Sequence, residues 1–213
     1  MAAEGKDNVR YLMLNKPKGY VTARADANHR VVMELFGEED RNSLFPVGRL
    51  DKNTEGLLLI TDDGALCYDL MSPSSLVEKT YFFYALGGID DEKIEKIENG
   101  LRIYPNLDFV TSSASFKLLG ETVISNITEL LDYEDLKLAR RRADTPIFSA
   151  TLTITEGKKH QVKRMLRAIG CRVLYLKRIQ IGGVMLDENL KIGEYRQLYD
   201  DEVEALKSSV NAQ

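Results

Sequence analysis

The stretch Gly48-Arg49-Leu50-Asp51-Lys52-Asn53-Thr54-Glu55-Gly56-Leu57-Leu58-Leu59-Ile60-Thr61 sets one carboxylate in a polar turn just ahead of a short apolar run. Leu57 to Ile60, apolar without interruption and bounded by turn signals, read as a fully buried strand. Asp51 therefore lies in a loop pinned to a core strand at Gly56. Such a mounting can hold a side chain rigidly at a cleft for nucleophilic or electrostatic chemistry. A structural role competes with this. An Asp three residues before a Thr, with Asn53 between, commonly hydrogen-bonds its own backbone in a turn, and spacing alone favours that role.

A second chemical feature is basic. Lys158, Lys159, Lys163, Arg164, Arg167, Arg172, Lys177 and Arg178 crowd a segment in which Glu156 is the only acid. Eight bases against one acid make the segment +7, which leaves -11 on the rest of a chain whose net charge is -4. An island of this sign on an acidic protein is a candidate phosphate-binding face. A solvated helix face with scattered salt bridges explains the same residues, and composition alone leaves both open.

Bulk properties set the frame. The 213 residues suit one large domain or two small ones, and a hydrophobic share of 44% supplies a sizeable core. No apolar run is long enough to span a bilayer, and the polar N-terminus lacks the apolar core of a signal peptide, so a cytoplasmic protein with no membrane partner is the default. Cys67 and Cys171 have no paired spacing and fit reduced thiols. With two Cys and two His, no structural zinc site is visible.

The elements that must position these residues follow in order. Tyr11–Leu14 reads as a strand ending in a turn forced by Pro17 and Gly19, with Tyr20–Thr22 resuming it. Val31–Phe36 reads as a short helix closed by Gly37, and Glu38–Asn42 as a charged loop. Residues 65–71 read as a helix with Asp62 as N-cap, stopped by Pro73. The aromatic run Lys79–Leu86 is a strand, and Asp90 caps a helix carrying Ile94 and Ile97 that Gly100 ends. Residues 101–129 hold several short strand-like runs, and 132–142 are mostly loop with some helix. Phe148, Ala150, Leu152 and Ile154 alternate with polar residues, the clearest half-buried strand in the chain. From about His160 a helix carries Val162, Met165, Leu166 and Ile169 as one apolar stripe, with Gly170 as its cap. Val173–Leu176 and Ile179–Ile181 read as two strands, Gly182-Gly183 as a turn, and 201–209 as a weak helix. The pattern predicts an α+β fold: a mixed, mostly antiparallel central sheet flanked by helices. It implies one domain over 9–207, open to division into two lobes about a cleft. Tails lie at 1–8, read as disordered, and at 208–213.

Four motifs in order then carry a resemblance over most of residues 11–183. Gly-Arg-Leu-Asp-x-x-Thr-Glu-Gly-Leu-Leu-Leu (48–59) resembles the catalytic motif of pseudouridine synthases of the RsuA type, the ribosomal small-subunit family. Leu14-Asn15-Lys16-Pro17-Lys18-Gly19-Tyr20 is similar to that family's first motif, and Glu78-Lys79-Thr80-Tyr81 to its tyrosine motif. Glu156-Gly157-x-x-His160-Gln161-Val162-Lys163-Arg164-Met165, followed by Leu176-x-Arg178-x-x-Ile181-Gly182, resembles its C-terminal motif.

The resemblance implies an isomerase that converts a chosen uridine of ribosomal RNA to pseudouridine, on free RNA or an assembling subunit, as a monomer without cofactor or metal. By match, Asp51 is the catalytic carboxylate, Tyr81 the ring against the target base and Lys163 the cation beside Asp51. The uridine must be flipped out of structured RNA to be reached. Arg49 is suited to fill the vacated stack or grip a phosphate. Lys16, Lys158, Lys159, His160, Gln161, Arg164, Arg167 and Arg178 are candidate RNA contacts, and Leu176 a residue packing under the uracil. Without the match, each of these has an ordinary role in packing or surface ion pairs. Family members acting on small-subunit RNA carry a small RNA-binding module ahead of the catalytic domain, whereas only ten residues precede Tyr11 here. Either the module is lacking or the sequence begins after it. His-Gln-Val-Lys-Arg favours the small-subunit branch, since the large-subunit branch more often has Arg in place of Lys163. Large-subunit or transfer-RNA specificity, and a non-catalytic RNA-binding ribosome-assembly factor, are the rival readings.

Overall fold

The computed structural model describes residues 9–104 and 108–211. The tail read at 1–8 lies outside these, as do 105–107 within the stretch of short strand runs and 212–213 at the far end. The strands are β1 (Tyr11–Lys16), β2 (Phe45–Pro46), β3 (Glu55–Thr61), β4 (Lys79–Leu86), β5 (Ser115–Val123), β6 (Pro146–Ile154), β7 (Arg172–Ile181), β8 (Val184–Met185) and β9 (Tyr195–Gln197). The helices are α1 (Glu38–Ser43), α2 (Gly64–Met71), α3 (Asp91–Glu98), α4 (Tyr133–Arg141), α5 (Gln161–Ala168) and α6 (Asp200–Asn211). The fold is α+β, with a mostly antiparallel sheet flanked by helices. The chain forms two compact units, one from residues up to Val77 together with those from Ile181 onward, the other from Glu78 to Gln180.

In the first unit every residue of β3 is buried. It pairs antiparallel with β1 on one side, from Tyr11 opposite Thr61 to Lys16 opposite Gly56, and with β2 on the other. β1 also pairs with β9. Leu57 and Leu59 join Met13, Leu66 and Leu70 of α2, and Leu206 of α6 in one core. Each such Leu contributes on the order of 1.5–3 kcal/mol when fully buried.

Several local readings are corrected here. The helix cap is Asp63, not Asp62: Asp63 accepts from the Leu66 N–H at 3.0 Å, whereas Asp62 accepts from the Arg10 N–H at 2.8 Å. The charged stretch 38–42 is not a loop but α1. Glu38, Glu39 and Asp40 occupy its first turn and Arg41 its last, the arrangement a helix dipole favours, and Gly37 stands at the N-cap. Val31–Phe36 narrows to a single 3-10 turn, Val32–Leu35, and Tyr20–Thr22 reaches only one bridge, Val21 to Val31. β9 had no sequence signal. It is fastened to α6 by Arg196, which donates to Glu202 at 2.7 and 2.8 Å and to Asp187 at 2.7 Å. The last helix runs to Asn211, beyond the boundary drawn at 207.

In the second unit the strand order is β5-β6-β4-β7. All eight residues of β4 pair with β6, Lys79 opposite Ile154 through Leu86 opposite Ile147. The aromatic run read as a strand is one, and its burial alternates, with Tyr81, Phe83 and Ala85 on the buried side of β4. Asp90 caps α3 by accepting from the Lys93 N–H at 2.9 Å. Residues 101–129 yield one strand, β5, interrupted by a bulge between Leu118 and Gly120. The 132–142 stretch is more helical than its composition suggests, because Asp132 caps α4 through the Asp135 N–H. β7 is one continuous strand rather than two. Lys177 and Arg178 break the apolar pattern, yet Arg178 is buried.

The Tyr11 hydroxyl donates to Asp63 at 2.7 Å. Burial, that hydrogen bond and the charges of Asp63 and Asp62 push its pKa from 10.0 to about 12. A phenol whose pKa is raised by folding stabilises the protein fully below its unfolded value, and the contribution is lost as pH climbs through the folded value. The stability advantage of the parent over Tyr11→Phe should therefore be present at about pH 9 and shrink toward about pH 12, as read by urea melts. An advantage that does not change with pH would show that the hydroxyl is not linked to Asp63 in this way.

Candidate functional site

The Asp51 loop is built almost wholly from backbone groups caught by two side chains. Lys16, at the end of β1, is 0% exposed. Its ammonium lies 2.9 Å from the Thr54 carbonyl, 3.0 Å from that of Pro17, 3.2 Å from that of Asp51 and 3.4 Å from that of Lys52. An ammonium has three N–H donors, so these four acceptors share them. Thr22 holds the other end of the loop. Its hydroxyl donates to the Leu50 carbonyl at 2.9 Å and accepts from the Leu50 N–H at 3.1 Å. The Gly19 N–H reaches the Lys52 carbonyl at 2.9 Å, and the Thr54 N–H closes a turn on the Asp51 carbonyl at 3.0 Å.

Gly48 opens this loop with φ +68, and a Cβ there would lie 2.2 Å from the Met71 Sδ of α2. The motif glycine is thus required by its conformation, while the flexible Met71 side chain could yield to a Cβ. Within this frame Asp51 is half-buried and Arg49 is exposed. Lys16, read from sequence as an RNA contact, is corrected: a fully buried ammonium on backbone carbonyls offers no surface to RNA and shapes the loop instead.

The second unit carries the other candidates. Tyr81 is 8% exposed on the buried side of β4. Lys79, two residues earlier on the same side, is buried too, as is Arg178 on the neighbouring β7. Burial, reinforced by the charge of Arg178, lowers the Lys79 pKa to about 8. Its ammonium also donates to the Thr155 carbonyl at 3.4 Å. Arg178 is 2% exposed and so, like Lys16, is corrected from a surface RNA contact to an interior cation. Leu176 is buried on β7.

α5 begins after His160, which takes a left-handed conformation at φ 56. The predicted stripe of Val162, Met165, Leu166 and Ile169 is buried. Gln161 is corrected as well: it is buried, accepts from the Lys158 N–H at 2.9 Å and donates to Glu156 at 2.7 Å. Those bonds fold the turn that presents Lys158, Lys159 and His160 to solvent. Arg167 is exposed, while Lys163 and Arg164 are half-buried. The basic island is therefore not one surface. Arg178 is buried, Arg172 pairs with Asp135, Lys177 lies on β7, and Lys158, Lys159, Lys163, Arg164 and Arg167 lie on α5 and the turn ahead of it.

The structure thus groups Asp51 with Arg49, Lys16 and Thr22 in the first unit, and Tyr81 with Lys79 and Arg178 in the second, with Lys163 on α5 of that unit. Thr22 and Lys79 escaped sequence reading as site-building residues, although Lys79 stands inside the tyrosine motif. Among the described residues, no group of three or more His, Cys, Asp or Glu side chains could hold a metal ion, and no helix is long and apolar enough to cross a membrane.

Residues 10–168 match the family described as RNA pseudouridylate synthase. A Bacillus subtilis (strain 168) protein described as an uncharacterised RNA pseudouridine synthase is 40% identical over 199 residues, covering 92% of this chain and 72% of that protein. The ribosomal small subunit pseudouridine synthase A of Salmonella typhimurium is 36% identical over 194 residues, covering 91% and 72%. A crystal structure of a pseudouridylate synthase aligns with a TM-score of 0.77 at 33% identity, covering 93% of this chain and 74% of that one.

Replacing Lys16 by Met preserves the stem but takes the ammonium from the carbonyls of residues 17, 51, 52 and 54, of which 51 and 52 keep the N–H groups of Thr54 and Gly19. Desolvated acceptors cost about 1–3 kcal/mol each, partly offset because an ammonium no longer has to be buried. A net loss of about 2 kcal/mol follows, or roughly 4–8 °C in Tm for a chain of this size. A melt of Lys16→Met at the parent temperature would show that the ammonium does not hold the loop.

Proposed function

The chain belongs to the RNA pseudouridylate synthase family, and from that premise we propose that this RNA uridine isomerase acts on ribosomal RNA, with a small-subunit uridine as its target. The observation that carries the catalytic part is the Asp51 loop, whose backbone is hydrogen-bonded at residues 50, 51, 52 and 54 so that one carboxylate is presented in a fixed place. The small-subunit target rests on similarity to relatives named for that RNA and on Lys163 in the His-Gln-Val-Lys-Arg motif.

In this reading the target nucleotide is flipped out of the RNA stack. The ionised Asp51 carboxylate bonds to the anomeric carbon or stabilises the positive charge that grows there as the bond from ribose to ring nitrogen breaks. The uracil turns, the ribose rejoins at ring carbon C5, and the proton on that carbon leaves to restore the ring. Tyr81 supports the base by stacking, worth about 1–3 kcal/mol, and its hydroxyl assists removal of the C5 proton. Lys163 supplies the cation that the family's motif sets beside the carboxylate. Arg49 occupies the gap in the RNA or holds a phosphate. The enzyme works as a cytoplasmic monomer on ribosomal RNA or the assembling subunit, without a cofactor.

Asp51→Asn tests this against a non-catalytic assembly factor. Pseudouridine formation on a ribosomal RNA fragment should fall by about 10⁴-fold or more, as for loss of a residue central to a catalytic unit, with RNA affinity retained. Equal formation by parent and variant would remove Asp51 from the chemistry. Absence of formation in both, with RNA still bound, would favour the assembly factor. Pseudouridine mapping in a strain lacking this gene decides the target: a lost site in large-subunit or transfer RNA would overturn the small-subunit assignment.

A further inference from the structure

In the second unit, the chain between α3 and β5 is pinned back on itself by a bridge from Arg102 to Val110 and by the Thr111 N–H on the Leu101 carbonyl at 3.0 Å. It carries two half-buried aromatic rings, Tyr104 and Phe109, whose centroids lie 5.9 Å apart at 69°. Cations from the start of α5 pack against them. The Arg164 guanidinium sits 4.2 Å from the Tyr104 centroid, and the Lys158 ammonium sits 5.0 Å from that of Phe109. The Tyr104 hydroxyl donates to the Lys159 carbonyl at 3.4 Å.

The nearby acids already have partners. Asp108 pairs with Arg102 at 2.7 Å, and Glu156 accepts from Gln161 at 2.7 Å and from the Ser112 N–H at 3.1 Å. Among the described residues, no ion pair engages Lys158, Lys159, Arg164 or Arg167. Local positive charge is therefore uncompensated where two half-buried rings and a guanidinium group meet.

We infer that Tyr104, Phe109 and Arg164 form a stacking platform for unpaired nucleotides of the RNA strand, with Lys158, Lys159 and Arg167 along its phosphates. The inference rests on the reading of this chain as an RNA enzyme and adds a binding site to it. Aromatic rings interleaved with cations are what single strands require: every base has a π-face, and the backbone supplies the counter-charge. A duplex keeps its bases stacked inside and cannot use ring faces, so the platform selects single-stranded segments. A purely structural role would use the cation and aromatic pairs and the Lys159 carbonyl to fix the loop, but it gives no use to the Lys159 ammonium or to Arg167, which make no ion pair or ring contact among the described residues.

The test uses the full chain and a labelled single-stranded ribosomal RNA fragment of known sequence, with the same fragment annealed to its complement as the second probe. The Tyr104→Ala, Phe109→Ala double variant should bind the single strand roughly tenfold or more weakly and raise KM to match, with kcat within about threefold of the parent and the duplex affinity unchanged. Tyr104→Phe should bind like the parent, because the ring and not the hydroxyl does the stacking. Lys158→Ala should reduce the salt dependence of binding by about one unit of slope, whereas the double aromatic variant should leave the slope alone. Parent-like single-strand affinity in the double variant, measured where its melt shows it folded, overturns the platform. So does a Tyr104→Phe defect equal to that of Tyr104→Ala, which would assign the effect to the Lys159 hydrogen bond. If the parent itself binds no RNA, the RNA reading fails along with the platform, an outcome distinct from a parent that binds and a variant that binds equally well.

Discussion

A lysine ammonium buried in backbone carbonyls is the constraint on which the first unit turns. Moving Lys16 out of water is unfavourable unless acceptors replace its hydration shell. The acceptors are the carbonyls of residues 51, 52 and 54, with that of Pro17 beside them. The loop must adopt the shape that delivers them, and that shape fixes the backbone of Asp51. Thr22 makes the same demand of Leu50 with one hydroxyl acting as donor and acceptor. Since β1 and β3 are paired residue by residue from Tyr11 to Lys16, the lysine is itself set by the register of the core sheet. A slip of one residue would turn Lys16 to the other face and dissolve the loop.

The second unit uses buried charge differently. Lys79 and Arg178 are both interior and of like sign, and burial with mutual repulsion brings Lys79 down to about 8. A lysine depressed by folding opposes the folded state while it is charged, and this opposition is relieved as pH rises from about 8 toward the unfolded value of 10.5. That sign is opposite to the one for Tyr11. Near neutral pH Lys79 therefore carries its charge while buried, at some expense in stability. α5 divides the same labour by faces: its apolar stripe is in the core, while Arg164 and Arg167 stand outside it.

What was legible in sequence was whatever periodicity or capping encodes locally. β4 showed as an aromatic run, β6 as alternation, α5 as an apolar stripe, and α3 through Asp90 and Gly100. The four motifs located the Asp51 loop and the tyrosine strand. What failed were places where a charged residue departs from its usual behaviour. Acids in the first turn made α1 look like a loop, although they favour the helix. Lys177 and Arg178 made β7 look interrupted, and Lys16 looked like a surface contact, because neither interior cation betrays its long-range partners in the sequence. Tyr104 carried no signal at all, since Arg164 lies far from it in sequence and only the fold brings the two together.

The most direct test of the central claim is native-state hydrogen exchange at the amides of Gly19, Leu50 and Thr54, whose acceptors are the Lys52 carbonyl, the Thr22 hydroxyl and the Asp51 carbonyl. If the carboxylate loop is held as described, these amides exchange only through openings that approach the free energy of global unfolding. Exchange as fast as that of exposed loop amides would mean that Asp51 rides on a mobile segment, and the account of a preset carboxylate would be wrong.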